Sequence, residues 1–155
     1  MLLDANLLAG RDREKHLQDL AKTNAYVDFN QGLDVRLIND DITELINQIR
    51  IEKIHFAWDN YDDMSAVEGL KKYAQKATRK PHGSFGIVYI LVNFNTTHVQ
   101  DLERVYRVRE MGYDPYIMIF DKPNAPKKTK HLQRWCNNKI IFKSCDRFED
   151  FDTRK

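Results

Sequence analysis

A chain of 155 residues, 42% apolar and 31% charged, is long enough for one domain with its own core and has the composition of an ordinary globular protein. A net charge of +2 rules out neither nucleic acid nor an acidic partner, while the lack of any run of about 18 apolar residues argues against a membrane-spanning helix. The two cysteines, Cys136 and Cys145, match no zinc or cluster spacing and fit reduced thiols in a cytoplasmic protein.

The opening MLLDANLLAG has no basic segment ahead of a long apolar one, so it reads as structure and not as a signal peptide. Leu2-Leu3 and Asn6 to Ala9 read as a short first strand closing at Gly10. Residues 12–23 follow as a helix with Leu17, Leu20 and Ala21 on one face. Residues 25–30 are a second strand, ending in the polar group Asn30, Gln31, Asp34 and Arg36. A helix over 40–50 then starts at Asn39-Asp40, with Ile42, Leu45, Ile46 and Ile49 at helical spacing. The third strand, 53–58, ends in Asp59 and Asn60, and a helix over 64–77 follows. FGIVYILVNF, 85–94, is the strongest strand, nearly all apolar as a parallel strand should be. Thr97 is a cap for a helix over 98–111, which stops at Gly112. Residues 115–120 are the fifth strand and 129–137 the last helix, with a strand at 139–143 and an acidic-aromatic tail.

This alternation predicts an α/β fold with a parallel sheet, about five βα units in a single domain over 1–155, with 139–155 as a C-terminal extension. Right-handed crossovers curl such an array into part of a barrel or leave it as an open sheet. In both cases ligands bind beyond the C-terminal strand ends, where the polar residues fall.

The ordered motifs DANLLA, NQGLDVRL, HFAWDN, ILVNFNTT, YIMIFDKP and LQRWCNNKIIF resemble the radical S-adenosylmethionine (radical SAM) superfamily, especially bacterial and phage-associated members, over nearly the whole chain. The resemblance implies a partial barrel whose first strand leads into a CxxxCxxC loop holding a 4Fe–4S cluster, the source of the electron that cleaves SAM. It places Asp4 and Asn6 near the methionine amino group of SAM. Asp34 and Arg36 match an Arg-Asp type sequence, and Asp59 with Asn60 match the Gly-x-Glu-Ser strand end that meets the ribose or methionine part. Val92 to Thr97, with Asn93 and Asn95, match a Gly-x-Pro-Gly-Glu-Thr run, and Met118 to Asp121 lie beside the adenine. Asn30 joins them as the polar end of its strand.

The departure from the family is the CxxxCxxC loop, which is absent together with the first strand. The resemblance therefore implies a truncated radical SAM core that keeps the SAM and substrate side, binds SAM weakly and is not catalytic alone. Its substrate is an unspecified small molecule or peptide.

Each candidate also has a plainer reading. Asp59 and Asn60 are the residue types that start helices and turns, and Asp34 with Arg36 is the pattern of a loop ion pair. Asn93 and Asn95 alternate onto one side, shared with Tyr89 and Leu91, and buried amides there need partners. Lys122, Lys127, Lys128, Lys130, His131 and Arg134 form a basic run beside Trp135. The run is a solvated helix face, or the surface of a nucleic-acid or protein interaction module, the alternative function for the chain. His55, His82 and His98 show no metal-ligand spacing. A strand near Leu2 to Leu8 at a sheet edge predicts a homodimer through that edge.

Overall fold

The computed structural model describes residues 6–151. Four strands, β1 (Val27–Asp34), β2 (Ile51–Ala57), β3 (Gly86–Val92) and β4 (Asp114–Ile119), pair in parallel in the order β1-β2-β3-β4. The helices are α1 (Arg13–Thr23), α2 (Asp40–Asn47), α3 (Met64–Lys76), α4 (His98–Glu110), α5 (Lys127–Asn137) and α6 (Lys139–Ser144). The strand order is sequential, without the mid-sheet reversal of a doubly wound fold. Among the described residues no pairing of β4 with β1 closes the sheet into a barrel.

Right-handed crossovers between sequential parallel strands put their helices on one face. Burial along β3 shows the result: Gly86, Val88, Ile90 and Val92 are buried, while Ile87, Tyr89 and Leu91 on the other face are only half-buried. On the helix side Phe56 packs edge-on against Tyr73 of α3 and against Tyr113, whose hydroxyl donates to the Leu70 carbonyl at 2.8 Å. The opposite face is left open, and it carries the larger cavity described below.

Two expected strands are not strands. Leu7–Ala9 is a 3-10 turn, and the proposed strand residues Leu2 and Leu3 lie outside the described residues. Leu7 and Leu8 are both buried within that turn. The sheet edge among the described residues is therefore β1, and not a segment near Leu2 to Leu8.

Residues 139–143 belong to α6. The Asn138 side chain accepts from the Ile140 and Ile141 amides, and Phe142 turns under Trp135 with ring centroids 4.8 Å apart while Ile140 faces solvent. In a strand these two residues would share a face. The tail then folds back on the helix layer: the Phe148 amide donates to Tyr106 Oη at 3.0 Å, and Phe148 packs on Trp135.

A third difference lies in β1, which does not stop at Asn30 but runs on to Asp34. Phe29 pairs with Ile54 and Leu33 with Phe56, so the polar residues between them bulge out of register. Gly32 allows this with a φ of +82°, and Tyr89 stands so close that a Cβ there would lie 3.2 Å from its ring.

Candidate functional site

The C-terminal ends of β1 and β2 enclose a cavity of about 320 Å³ whose walls include Asn6, Asp34, Arg36, Asp59, Asn60 and Asp63. Asp34 closes β1 and caps the turn that follows, accepting from the Arg36 amide at 3.2 Å. The Arg36 guanidinium returns to the same carboxylate through Nε at 2.8 Å and Nη2 at 2.7 Å, a two-point pair. That pair holds the Asp34 carboxyl below its ordinary range, despite partial burial, and a bond from Asn6 lowers it further. Asp63 lies 3.9 Å from Arg36 Nη1 and caps α3 through the Ser65 amide. The plainer reading of Asp34 and Arg36 as a loop ion pair and the ligand-facing reading thus describe the same two residues.

Asp59 does not cap a helix, because Asp63 does. It stands where the small cavity meets the large one, and nearby protein pushes its carboxyl above the ordinary value, against the pull of Arg104 and Arg36. Asn60 is fixed by its backbone: its carbonyl accepts from Trp58 Nε1 at 2.7 Å.

The larger cavity, about 660 Å³, is the open face of the sheet itself. Its floor is a row of rings on adjacent strands. His55 stacks on Tyr89 at 5.2 Å and 19°, and Tyr89 meets Tyr116 edge-on at 5.7 Å. Met118 and Leu91 complete the apolar wall, and Asn30 and Asp59 supply polar rims. The His55 Nδ1 lies 3.0 Å from the Phe29 carbonyl, which can only accept, so that nitrogen carries the proton. Burial lowers the His55 pKa and keeps the ring neutral. Tyr89 Oη donates to the Asn30 carbonyl at 2.9 Å, while Asn30 Oδ1 and Asp28 Oδ1 are buried with no hydrogen-bond partner among the described residues.

The structure therefore gathers Asn6, Asp34, Arg36, Asp59 and Asn60 in one cavity, and Asn30, Asp59 and Met118 in its neighbour. Asp4 lies outside the described residues. Asn93 and Asn95 line neither cavity. Both take positive φ, 62° and 52°, so strand alternation ends at Val92, and Asn93 Nδ2 donates to the Phe120 carbonyl.

Sequence reading missed Arg104. Its guanidinium is fully buried and donates to the carbonyls of Trp58 (2.9 Å), Asp59 (3.2 Å) and Leu91 (2.7 Å) and to Asp101 Oδ1 (2.7 Å). Asp101 in turn accepts from the Asn93 amide and Thr96 Oγ1. One ion pair thus fixes the ends of β2 and β3 beside the site. The signal was present: Asp101, Arg104, Val105 and Val108 recur on one helical face.

Iron–sulfur ligation does not fit these residues. Burial pushes the Cys136 thiol up to about 12, and it points to the Pro115 carbonyl; Cys145 Sγ meets the Arg147 carbonyl. Neither thiol lines either cavity. Among the described residues no group of three His, Cys, Asp or Glu side chains is placed to hold a metal, and no helix is long and apolar enough to cross a membrane.

No family model, curated protein or solved structure matches the chain.

Proposed function

We propose that the chain is a small-molecule-binding α/β domain whose paired cavities take S-adenosylmethionine or a close analogue, as the SAM-holding part of a radical SAM-type core without cluster ligands. The observation that carries this reading is the meeting, at one end of the sheet, of a small charged cavity and a large aromatic one that share Gln31, Ala57 and Asp59. A ligand with a zwitterionic head and a flat ring fits such a pair. Asp34 and Asp59 offer acceptors to an ammonium group. Arg36, with one edge committed to Asp34 and the other merely near Asp63, offers donors to a carboxylate. His55, Tyr89 and Met118 offer a surface to the ring, and the orphaned Asn30 Oδ1 offers an acceptor to a ligand N–H or O–H. These side chains bind and orient; none of them supplies an electron, so reductive cleavage of SAM by this chain alone is not part of the proposal.

Calorimetric titration with S-adenosylhomocysteine tests it. The expected result is weak but saturable binding, reduced about tenfold by Arg36→Ala and by Asp59→Asn, in line with loss of a charge-assisted hydrogen bond. Absence of binding, or binding that neither substitution changes, overturns the reading. Anaerobic incubation with iron, sulfide and SAM should yield no 5′-deoxyadenosine; its appearance would place cluster ligands where none is proposed.

A further inference from the structure

We propose that the substrate side of this site accepts a single-stranded nucleic acid, with one base against the exposed Tyr116 and Phe120 rings at the end of β4 and the adjoining phosphates in the basic groove beside α5. The inference rests on the reading of the large cavity as a ligand site and names the class of substrate that would reach it.

Tyr116 joins the two surfaces. It lines the large cavity on one side. On the other it lines a second groove, about 610 Å³, with Lys122, Lys130, Gln133, Arg134, Asn137 and Asn138. No acidic residue lines that groove. Gln133 and Asn137 are committed to the β4 backbone at Ile117, so they form its wall. Lys130 Nζ donates to the Pro123 carbonyl, an uncharged partner, and neither Lys122 nor Arg134 forms an ion pair among the described residues. On the neighbouring helix α4, by contrast, Arg107 is answered by Glu103 and Arg109 by Asp146.

The same flank exposes flat and polarisable groups. Tyr116, Met118 and Phe120 of the β4 end are 41%, 48% and 49% exposed, and Phe120 rests against the exposed Phe94 at 4.9 Å. Rings that stack bases next to cations that follow a phosphate backbone are the two parts of a single-strand site. An acidic protein partner would use the cations but leave the exposed rings idle. A duplex would meet the groove but would have to unpair and unstack a base to reach the rings, which a single strand need not. The net charge of +2 means that the basicity is local and not a property of the whole molecule.

Fluorescence anisotropy of the full chain with a labelled single strand of roughly ten nucleotides, its duplex and a polyglutamate competitor tests the proposal. The single strand is expected to bind, more weakly as salt rises, and to lose about tenfold in affinity with Lys130→Glu/Arg134→Glu. Tyr116→Leu is expected to cost about tenfold for the single strand while leaving binding of inorganic polyphosphate unchanged, because it removes stacking and no charge. Circular dichroism confirms that each variant is folded, and the exposed charge-reversal pair serves if Tyr116→Leu is not. Equal binding of duplex and single strand, equal competition by polyglutamate, indifference to Tyr116→Leu, or no binding at all overturns the proposal. S-adenosylhomocysteine titration of the Lys130→Glu/Arg134→Glu variant separates the two readings. In the parent chain, S-adenosylhomocysteine binding without oligonucleotide binding removes the groove alone. Oligonucleotide binding without ligand binding removes the cofactor reading and leaves the groove standing.

Discussion

Arg104 divides its donors among three carbonyls and one carboxylate at a position with no exposure to solvent. Removing a partner from such a pair leaves a buried charge unanswered, which costs about 3–5 kcal/mol. Arg104→Met should therefore lower the unfolding free energy obtained from urea titration by that amount, with the Asp101 carboxylate left without its cation. Arg104→Met combined with Asp101→Asn should recover much of the loss. A single-variant loss under about 1 kcal/mol would mean that the strand ends are held by other contacts. Only the packing of α4 on the sheet turns the face of Asp101 and Arg104 inward, and helical periodicity by itself does not say which side is the core. His55 and His98 were passed over for a different reason. They match no metal spacing, yet burial lowers the pKa of both below the ordinary 6.5. The native state then disfavours the imidazolium, while the unfolded chain takes up protons once the pH falls past about 6.5. Stability should be highest above that pH, fall as pH drops from 6.5 toward the folded-state values, and level off below them. Urea midpoints measured between pH 7.5 and 5 check this. The decline should be smaller in a variant carrying His55→Phe and His98→Phe than in the parent chain.

Among the elements, α3 is held closest to the site. Gly69 lets it press on the turn that carries Arg36, and a Cβ there would overlap the Val35 carbonyl oxygen. Gly69→Ala should cost about 1–3 kcal/mol through overpacking and shift that turn outward. A lower melting temperature accompanied by weaker S-adenosylhomocysteine binding is the expected result, and unchanged binding would show that the turn keeps its place without α3. Nothing in the sequence marked this glycine, because the reason for it is a helix-to-backbone approach between segments far apart in the chain. Local chemistry, by contrast, could be read directly. Thr97 caps α4 and Gln100 returns the bond, so a capping box starts the helix where the residue types said it should. Thr97→Ala should remove about 1 kcal/mol. The Ile140-Ile141-Phe142 run misled because three apolar residues in a row fit a buried strand or a helix turn equally well. The Asn138 cap and the Trp135 surface decided between them.

For the molecule as a whole, alternating patterns identified the βα units, but strand order and the open face come from long-range pairing that no local pattern contains. The candidate site was readable as a set of strand-end residues; its division into a charged and an aromatic cavity was not, because His55, Tyr89 and Tyr116 look like ordinary strand residues until the sheet aligns them. The two sheet edges also differ. On β4, Asn137 accepts from the Ile117 amide at 2.7 Å and donates to its carbonyl at 3.0 Å, Gln133 adds a second bond there, and Lys139 and Cys136 occupy the Pro115 carbonyl. Side chains from α5 and its end thus satisfy a backbone that would otherwise attract another strand. Asn137→Ala should uncover it, and light scattering at micromolar concentration should show more association than in the parent chain. No change would mean that the remaining side chains suffice.

The blocked β4 edge sets a limit on growth. Among the described residues β1 pairs with β2 alone, so a further strand can be added on that side and not on the other. Open-ended stacking needs two complementary edges on every copy, and among the described residues this chain offers one. Association through the sheet is therefore self-terminating: two copies meeting edge to edge about a twofold axis use up both open edges and leave no template for a third. Such a chain can form a pair, or receive one strand from another polypeptide, but it cannot seed a fibre through its sheet.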